Sequence, residues 1–394
     1  MKVGYLCSDF DVPLYGAEGC SVHIRELCSA LERGGHDVFH VCAELGTDSP
    51  PPSDRVYRIE AEPSGAEDWR LERDLRLLRY NEALVARGTK ILRRERPDVL
   101  YERYALFGWG GVELARRHGI PLLLEVNTNL RLEQDGYELF VLTGAAEQLE
   151  REIFRSASAV IAVSQWLADW ILGLGVEGER VHVIPNAVSD LLFRRRASGS
   201  GVRRRYGLDG KRVVGFVGSF QPWHDLRGLI AAFSELAGSD PDLRLLLVGD
   251  GPDRQALERE VHEVGLGGSS VFTGNVPHDD VPSVLAAMDV AAVPYRSRGD
   301  FYFSPLKLFE CMAAGRPTLA ASIGQIAEIV DHEQTGLLYE PGSRVGLAEG
   351  MRRLLYDEEL ARTVGTAARR RILARHTWSR VADMIVAIAE EHRP

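Results

Sequence analysis

The fold is decided near the middle of the chain, by the stretch VVGFVG at residues 213–218. Its apolar residues predict a buried strand, and Gly218 predicts the loop that follows the strand. The same order of features begins the chain, where residues 3–7 predict a strand and a loop with Gly16 and Gly19 comes next. The sequence therefore predicts two units of one kind in tandem.

Further apolar runs, separated by amphipathic helical stretches, continue both halves of the chain. Strands that alternate with helices are typical of a parallel sheet with helical crossovers. We therefore expect two doubly wound, Rossmann-like α/β units. The further predicted strands are residues 38–42, 99–101, 122–126, 160–163 and 181–184 in the first unit, and 243–248, 271–273, 290–294 and 318–321 in the second.

The chain of 394 residues is longer than a typical single domain. We expect a first domain of residues 1–188, completed by a C-terminal helix within 377–394, and a second domain of residues 189–376. Residues 194–205 are rich in Arg, Gly and Ser, which predicts a linker region.

The composition is that of a soluble globular protein with a formal net charge of -10. This charge argues against a nucleic-acid partner and against strong attachment to anionic membranes. Neither a signal peptide nor an apolar stretch of transmembrane length is predicted. Since the cysteines form no CxxC pair, we expect a reduced, cytoplasmic protein without a metal site. The cysteines are Cys7, Cys20, Cys28, Cys42 and Cys311.

Residues 301–317, FYFSPLKLFECMAAGRP, carry the strongest functional signal. Ser304 before Pro305 predicts a helix N-cap with proline at the first helical position, and Gly315 predicts the end of the helix. Lys307 and Glu310 then share one face near the N-terminus. Free helix amides and a lysine suit a phosphate, and a carboxylate can accept two hydrogen bonds from a ribose diol.

A nucleotide pocket is therefore predicted, with a surface helix that carries one salt bridge as the alternative. The loop at 218–224 offers amides to a phosphate, with Ser219 within it and His224 as a partner. Gly249 belongs to a strand-ending turn. Val276 either flanks a base or belongs to a simple turn.

In the first half, Glu125 and Asn127 end the strand 122–126 and point the same way, which makes them the polar pair best placed for chemistry. The loop with Gly16 and Gly19 lets a substrate approach the backbone or is a plain turn. His23 is either a solvent-facing or cap-region histidine, or it contributes to the cleft that two such units would form if they faced each other. Glu102 and Arg103 are expected beside Asn127.

The basic stretch at 69–96 is either a membrane-surface helix or a solvated helix face, and its acidic residues favour the latter.

In its motifs the chain resembles the retaining glycosyltransferases of family 4, which have the GT-B fold, over nearly its whole length. The residues that carry the resemblance are the Gly16/Gly19 loop with the following helix to 33–38, Ala162-Val163-Ser164, Ile184-Pro185-Asn186-Ala187-Val188, Val248-Gly249-Asp250-Gly251-Pro252, and Ser304-Pro305-Leu306-Lys307-Leu308-Phe309-Glu310. The resemblance implies a metal-free enzyme without a cofactor, which moves a sugar from a nucleotide diphosphate sugar to an acceptor hydroxyl.

By resemblance, Glu310 is the second acid of the E-x7-E motif, which grips the donor ribose. The first acid falls at Tyr302, which is not acidic. Ser219 and His224 stand near the positions of the usual arginine and lysine, so Lys307 is expected to carry part of the charge that holds the diphosphate. Asn127 stands where many members have a histidine.

The resemblance implies an N-terminal acceptor domain and a C-terminal donor domain. We expect catalysis by Asn127, Glu125 and His23, with acceptor contacts from Gly16, Gly19 and Arg103. UDP is the favoured nucleotide, and the oligomeric state stays open. The rival functions are a nucleotide-sugar epimerase on the same fold and a nucleotide-sugar-binding protein without catalysis. The expected donor contacts are Gly218, Ser219, His224, Gly249, Val276, Phe303, Ser304, Leu306, Lys307 and Glu310.

Overall fold

The chain divides into two compact units in a computed structural model that describes residues 1–16, 18–46, 54–135, 139–297 and 299–393. The first unit runs from Met1 to Pro185, and the chain returns to it at Trp378. The second comprises Asn186–Phe301 and Pro305–Thr377. The boundaries expected from the sequence, after residues 188 and 376, lie close to these. The three residues Tyr302–Ser304 belong to the first unit by their contacts, which the sequence did not indicate.

The first unit is built on a seven-stranded parallel sheet with the strand order β3-β2-β1-β4-β5-β6-β7. Its strands are β1 (Lys2–Cys7), β2 (Asp37–Cys42), β3 (Val56–Arg58), β4 (Val99–Arg103), β5 (Leu122–Val126), β6 (Ala159–Ala162) and β7 (Val181–Val183). Its helices before the boundary are α1 (Gly19–Arg33), α2 (Trp69–Glu95), α3 (Gly110–His118), α4 (Leu130–Asp135), α5 (Thr143–Ser156) and α6 (Gln165–Gly173), with a 3-10 turn at Gly178–Arg180.

The second unit repeats the arrangement with six strands in the order β10-β9-β8-β11-β12-β13. Its strands are β8 (Arg212–Val217), β9 (Leu243–Val248), β10 (Ser270–Gly274), β11 (Val290–Val293), β12 (Thr318–Ala321) and β13 (Leu337–Tyr339). Its helices are α7 (Asp190–Phe193), α8 (Ser200–Arg205), α9 (Leu226–Ala237), α10 (Arg254–Glu263), α11 (Val281–Ala286), α12 (Leu306–Ala313), α13 (Gly324–Ile329), α14 (Arg344–Tyr356) and α15 (Glu358–Arg375), with a 3-10 turn at His278–Asp280. The last helix, α16 (Trp378–Glu391), belongs to the first unit.

The two doubly wound units predicted from the sequence are confirmed. Two strands were not predicted, Val56–Arg58 and Leu337–Tyr339. Each has three residues and lies at one edge of its sheet, where it pairs with a single neighbour. A three-residue run carries little periodicity, and of the three edge strands of that length only β7 was predicted from the sequence.

The expectation of a linker region at residues 194–205 is wrong, because the units divide between Pro185 and Asn186 and the whole segment belongs to the second unit. Residues Ser200–Arg205 form α8, and Arg203 donates a hydrogen bond of 2.8 Å to Asp289 within the second unit. The backbone of Phe193, at the end of α7, also accepts a hydrogen bond of 2.6 Å from Arg369. Arg203 therefore ties this segment to the rest of the second unit.

Strand order determines where ligands can bind in each unit. In both sheets the order in which strands are added reverses next to the first strand. This occurs between β1 and β4 in the first unit and between β8 and β11 in the second. In doubly wound sheets this switch point opens a crevice at the carboxyl ends of the strands. The loops after β1, β4 and β5, and those after β8, β9 and β10, therefore converge in their own units.

The last helix completes the first unit through its apolar face. Trp378 is 1% exposed, and its ring contacts the ring of His23 edge-on at 4.6 Å between centroids. Other buried residues of α16 are Val381, Ala382, Ile385, Ile388 and Ala389. Within the described residues, no helix combines the length and apolar character needed to cross a bilayer.

Replacement of Trp378 by alanine should lower the free energy of unfolding of the first unit by about 3–5 kcal/mol, because a large buried ring is lost and a cavity remains. Met384 lies on the same helix but is 40% exposed. Met384→Ala should therefore change the free energy of unfolding by less than about 0.5 kcal/mol. Urea unfolding followed by circular dichroism, with hydrogen exchange to locate the loss, measures both variants. Equal effects would contradict the assigned burial.

Candidate functional site

Helix α12 begins one residue later than the sequence indicated. Pro305 is the N-cap, with an extended backbone (φ -75°, ψ 110°), and no side chain caps the helix at that position. The prediction of Ser304 as N-cap and Pro305 as the first helical residue is therefore wrong by one position. The helix ends as predicted, with Gly315 at φ 70° after it. Leu306 is the first helical residue, so Lys307 lies in the first turn.

The ammonium of Lys307 lies in an aromatic pocket of the second unit. Its Nζ donates a hydrogen bond of 2.8 Å to Nε2 of His224 and lies 4.4 Å from the ring centroid of Phe216. The ring of Tyr295 is 5.7 Å away. Such faces attract a cation, but they do not neutralise it. The three side chains that contact the ammonium here, from His224, Phe216 and Tyr295, are therefore neutral.

His224 holds Lys307 through a defined tautomer. Its Nδ1–H donates to the carbonyl oxygen of Ser219 at 2.7 Å, which leaves Nε2 as the acceptor for the lysine. Burial, and then the charge of Lys307, holds the pKa of His224 well below its usual value. The ring is therefore neutral near pH 7 and does not add a second cation beside Lys307.

The pKa of Lys307 lies close to neutral pH. Burial lowers the pKa of its ammonium to about 7, and the partial opposition of Cys311 and Glu310 does not restore it. The helix N-terminus adds a positive end of a dipole, which also favours the neutral amine. An anion bound here would raise this pKa again, because it would stabilise the ammonium.

Two glycines allow the backbone to approach the lysine closely. Gly218 has φ 140°, and a Cβ atom there would lie 2.7 Å from Nζ of Lys307. Gly249 has φ 128°, and a Cβ atom there would lie 2.0 Å from the carbonyl oxygen of Gly218. Any side chain at either position would collide with the site. The loops after β8 and β9 can therefore bring backbone groups next to the cation.

Glu310 lies one turn further along α12, and its side chain is 12% exposed. Its Oε1 accepts a hydrogen bond of 2.8 Å from Nε2 of His278, in the turn that follows β10. Val276, predicted beside a base, is half-buried two residues before this histidine. In the second unit, the ammonium of Lys307, the backbone of the two glycine loops and the carboxylate of Glu310 thus lie around the first turns of α12.

In the first unit, Glu125 is more enclosed than the sequence suggested. It is 2% exposed, and its Oε1 accepts hydrogen bonds from Nε2 of His23 and from the hydroxyl of Tyr101, both at 2.7 Å. Burial alone would raise the pKa of this carboxyl, but His23 and then Arg103 outweigh it and lower the pKa to about 2. Glu125 is therefore a buried carboxylate and a poor proton acceptor.

His23 does not face solvent, so that alternative is wrong. It is 3% exposed and lies between Glu125 and Trp378. Arg103 is also buried, with Nη1 at 3.9 Å from Oε2 of Glu125. The side chains of His23, Arg103 and Glu125 form one buried cluster at the carboxyl ends of β4 and β5.

Asn127 follows β5 and is half-buried. Its Nδ2 is buried and makes no hydrogen bond to the described part of the chain. Gly16 precedes α1, and its carbonyl oxygen accepts a bond of 2.7 Å from Arg25. Gly19 begins α1 and is exposed; Ala17, between the two glycines, lies outside the described residues. Asn127 is thus the predicted polar group with an open donor.

Tyr302, at the position of the first E-x7-E acid, is fully buried in the first unit. Its carbonyl oxygen accepts a hydrogen bond of 2.8 Å from Ser164, and Trp166 packs beside its ring. Phe303 packs against the core of the same unit, and Ser304 is buried. By their contacts, Phe303 and Ser304 therefore group with the first unit rather than with the predicted donor domain.

Sequence reasoning missed His278 and Tyr101. Nothing in the local pattern distinguishes His278 from a surface histidine, and Tyr101 sat within a predicted buried strand. The alternation along β4, which places Tyr101 and Arg103 on one face, was the available signal for the tyrosine. Among the residues that the structure describes, no group of three or more His, Cys, Asp or Glu side chains could hold a metal ion.

Two family models match the chain, one in each half. The family described as "Glycosyl transferases group 1" matches residues 211–357, and the "Glycosyl transferase 4-like domain" matches residues 18–187. Together they cover most of the chain, including α12 and the loop that follows β5.

Curated relatives carry the same activity in their names. The chain is 28% identical to the GDP-mannose-dependent alpha-mannosyltransferase of Mycolicibacterium smegmatis, over 98% of this chain and 96% of the relative. It is 33% identical to the 2-deoxystreptamine glucosyltransferase of Streptomyces kanamyceticus, over 53% of this chain and 54% of that relative. These names describe glycosyl transfer, rather than epimerisation or binding alone.

Solved structures agree on the fold. Sucrose-phosphate synthase from Thermosynechococcus elongatus superposes with a TM-score of 0.79 at 22% identity, covering 99% of this chain and 98% of that one. HepE of Anabaena, in complex with UDP-glucose, gives 0.75 at 22% identity, covering 99% and 100%. With two parallel-sheet units and these neighbours, the fold is GT-B. The chain is a glycosyltransferase and belongs to the group 1 glycosyltransferases of the family 4 type.

Proposed function

We propose that this glycosyltransferase moves a hexosyl group from a nucleotide diphosphate sugar, UDP-sugar first, to a hydroxyl of a small molecule or glycan. The anomeric configuration is retained, and no metal ion is needed. The observation that carries the proposal is α12, where Lys307 in its neutral pocket and Glu310 one turn later offer a cation and a diol acceptor. A GDP-sugar is the second candidate donor, since a relative that matches nearly the whole chain is named for GDP-mannose.

The proposed chemistry is front-face transfer. The bond between the anomeric carbon and the diphosphate oxygen breaks while the acceptor oxygen bonds to the same face of that carbon. The acceptor proton passes to the departing phosphate oxygen. Glu125 is not expected to take this proton, because it is buried with a pKa of about 2. Lys307 and the amides of α12 stabilise the leaving diphosphate, which is the role that a metal ion fills elsewhere.

A donor screen in EDTA tests the whole proposal. UDP-glucose, UDP-galactose, UDP-N-acetylglucosamine and GDP-mannose are incubated with and without a panel of hydroxyl acceptors. We expect one donor to yield nucleoside diphosphate and a product with the donor's anomeric configuration, read by NMR. An inverted product would refute retention. Turnover that needs added Mg²⁺ or Mn²⁺ would refute metal independence, and an epimerised donor would refute transfer as the main reaction.

The pKa of Lys307 predicts a pH-dependent affinity for the nucleoside diphosphate. The ammonium binds phosphate only when protonated, so affinity should fall as pH rises through 7, by up to about tenfold per pH unit. Binding at pH 8 should take up a proton, because the bound anion raises the lysine pKa. Calorimetry in buffers of different ionisation enthalpy measures this above pH 7.5, where the phosphate's own pKa of about 6 no longer contributes.

Lys307→Met is the matched control for this titration. It should bind weakly, without proton uptake and with the same affinity from pH 7.5 to 9. If the native protein shows no proton uptake at pH 8, or if the methionine variant keeps it, Lys307 is not the phosphate ligand.

Asn127 is proposed to orient the donor sugar or the acceptor, because its Nδ2 is an open donor and an amide cannot serve as a base near neutral pH. Asn127→Ala should lower turnover by about 10- to 100-fold, the range for one lost hydrogen bond to a charged group, with nucleotide affinity nearly unchanged. Melting temperature, affinity and turnover are measured on one preparation. Lower stability with normal turnover per folded molecule would instead assign Asn127 to loop capping.

A further inference from the structure

A residue outside its own helix donates a hydrogen bond to Glu310. His278 lies 32 positions earlier, in the 3-10 turn after β10, and its Nε2–H donates to Oε1 of Glu310 at 2.8 Å. The side chains of His278 and Glu310 are 21% and 12% exposed. The contact is therefore at the border of the candidate site, where a ligand can reach the carboxylate.

The backbone places His278 independently of Glu310. Gly274 ends β10 with φ 73°, and its carbonyl oxygen accepts a hydrogen bond of 3.0 Å from the amide of Gly249. Pro277 then sets an extended step, with φ -55° and ψ 142°, before the turn begins. The histidine is thus delivered from a segment fixed to the same glycine loop that borders Lys307.

A stabilising salt bridge does not explain this contact well. Partly exposed ion pairs contribute little to folding, typically less than about 1 kcal/mol. Recognition of a diol makes a stricter demand, since two hydroxyls must meet carboxylate oxygens in one plane. The terminal torsion of a glutamate is broad, so a free Glu310 would have to be ordered when the ligand binds. A donor on Oε1 removes that freedom and still leaves one lone pair there and both on Oε2.

We propose that His278 is a positioning residue for the donor ribose: it holds the carboxylate of Glu310 in the plane in which the carboxylate accepts the two ribose hydroxyls. This inference rests on the proposed function, because it assumes that Glu310 binds the ribose. It adds that recognition of the diol depends on two elements, α12 and the turn after β10. His278 should therefore not increase the binding affinity for nucleotides that lack the diol.

The test compares UDP and GDP with their 2′,3′-dideoxy counterparts by calorimetry. His278→Ala should weaken binding of the tighter ribonucleotide by about five- to tenfold, which corresponds to the ordering of one flexible side chain. Binding of the dideoxy form should not change. His278→Gln, whose amide reaches the position of Nε2, should restore most of the affinity, whereas the shorter His278→Asn should not. Asp279→Ala, an exposed neighbour in the same turn, is the matched control.

Glu310→Gln separates the hypothesis that Glu310 binds the ribose from the hypothesis that His278 positions Glu310. It should weaken ribonucleotide binding by roughly 10- to 100-fold, as for a lost charge-assisted hydrogen bond, and His278→Ala should add nothing in that background. If Glu310→Gln leaves the ribonucleotide affinity unchanged, the ribose site itself is wrong. If Glu310→Gln weakens it but His278→Ala does not, or if His278→Ala weakens the dideoxy form equally, the positioning role is overturned.

Discussion

A parallel sheet sends the carboxyl ends of its strands to one edge, and this constraint organises both units. In the first unit it brings together Arg103, at the end of β4, and Glu125, opposite it in register on β5. In the second it brings the loop of Gly218 against that of Gly249. Since the strand order is the same in both units up to the sixth strand, each has its switch point in the equivalent place.

The two units use buried charge in opposite ways. Oε1 of Glu125 accepts hydrogen bonds from His23 and Tyr101, and Arg103 lies 3.9 Å from Oε2, so the protein itself compensates much of this charge. Lys307 contacts neutral groups instead, and burial lowers its pKa to about 7. A compensated carboxylate stabilises a cluster, whereas an uncompensated cation gains most when an anion arrives. This difference is why the second unit, rather than the Glu125 cluster, carries the proposed leaving-group site.

By the resemblance, Ser219 and His224 stand near the positions of the usual arginine and lysine, and this difference has a physical consequence. His224 is buried and neutral, bonded to the carbonyl oxygen of Ser219 and to Lys307. A site with one titrating cation should respond to pH where a site with an arginine would not, because arginine stays protonated. The sequence showed the substitutions, but it could not show that the histidine serves the lysine.

The sequence by itself determined the features that depend on neighbours along the chain. Apolar runs and helical spacing placed the strands, and the SPLKLFE segment placed Lys307 and Glu310 on one helix face, because both periodicities are local. The tertiary structure decided the pairs that join distant residues: His23 with Glu125 across 102 positions, Lys307 with His224 across 83, and Glu310 with His278 across 32. No local pattern encodes these contacts, because they arise only when strand order brings separate loops to one edge of a sheet.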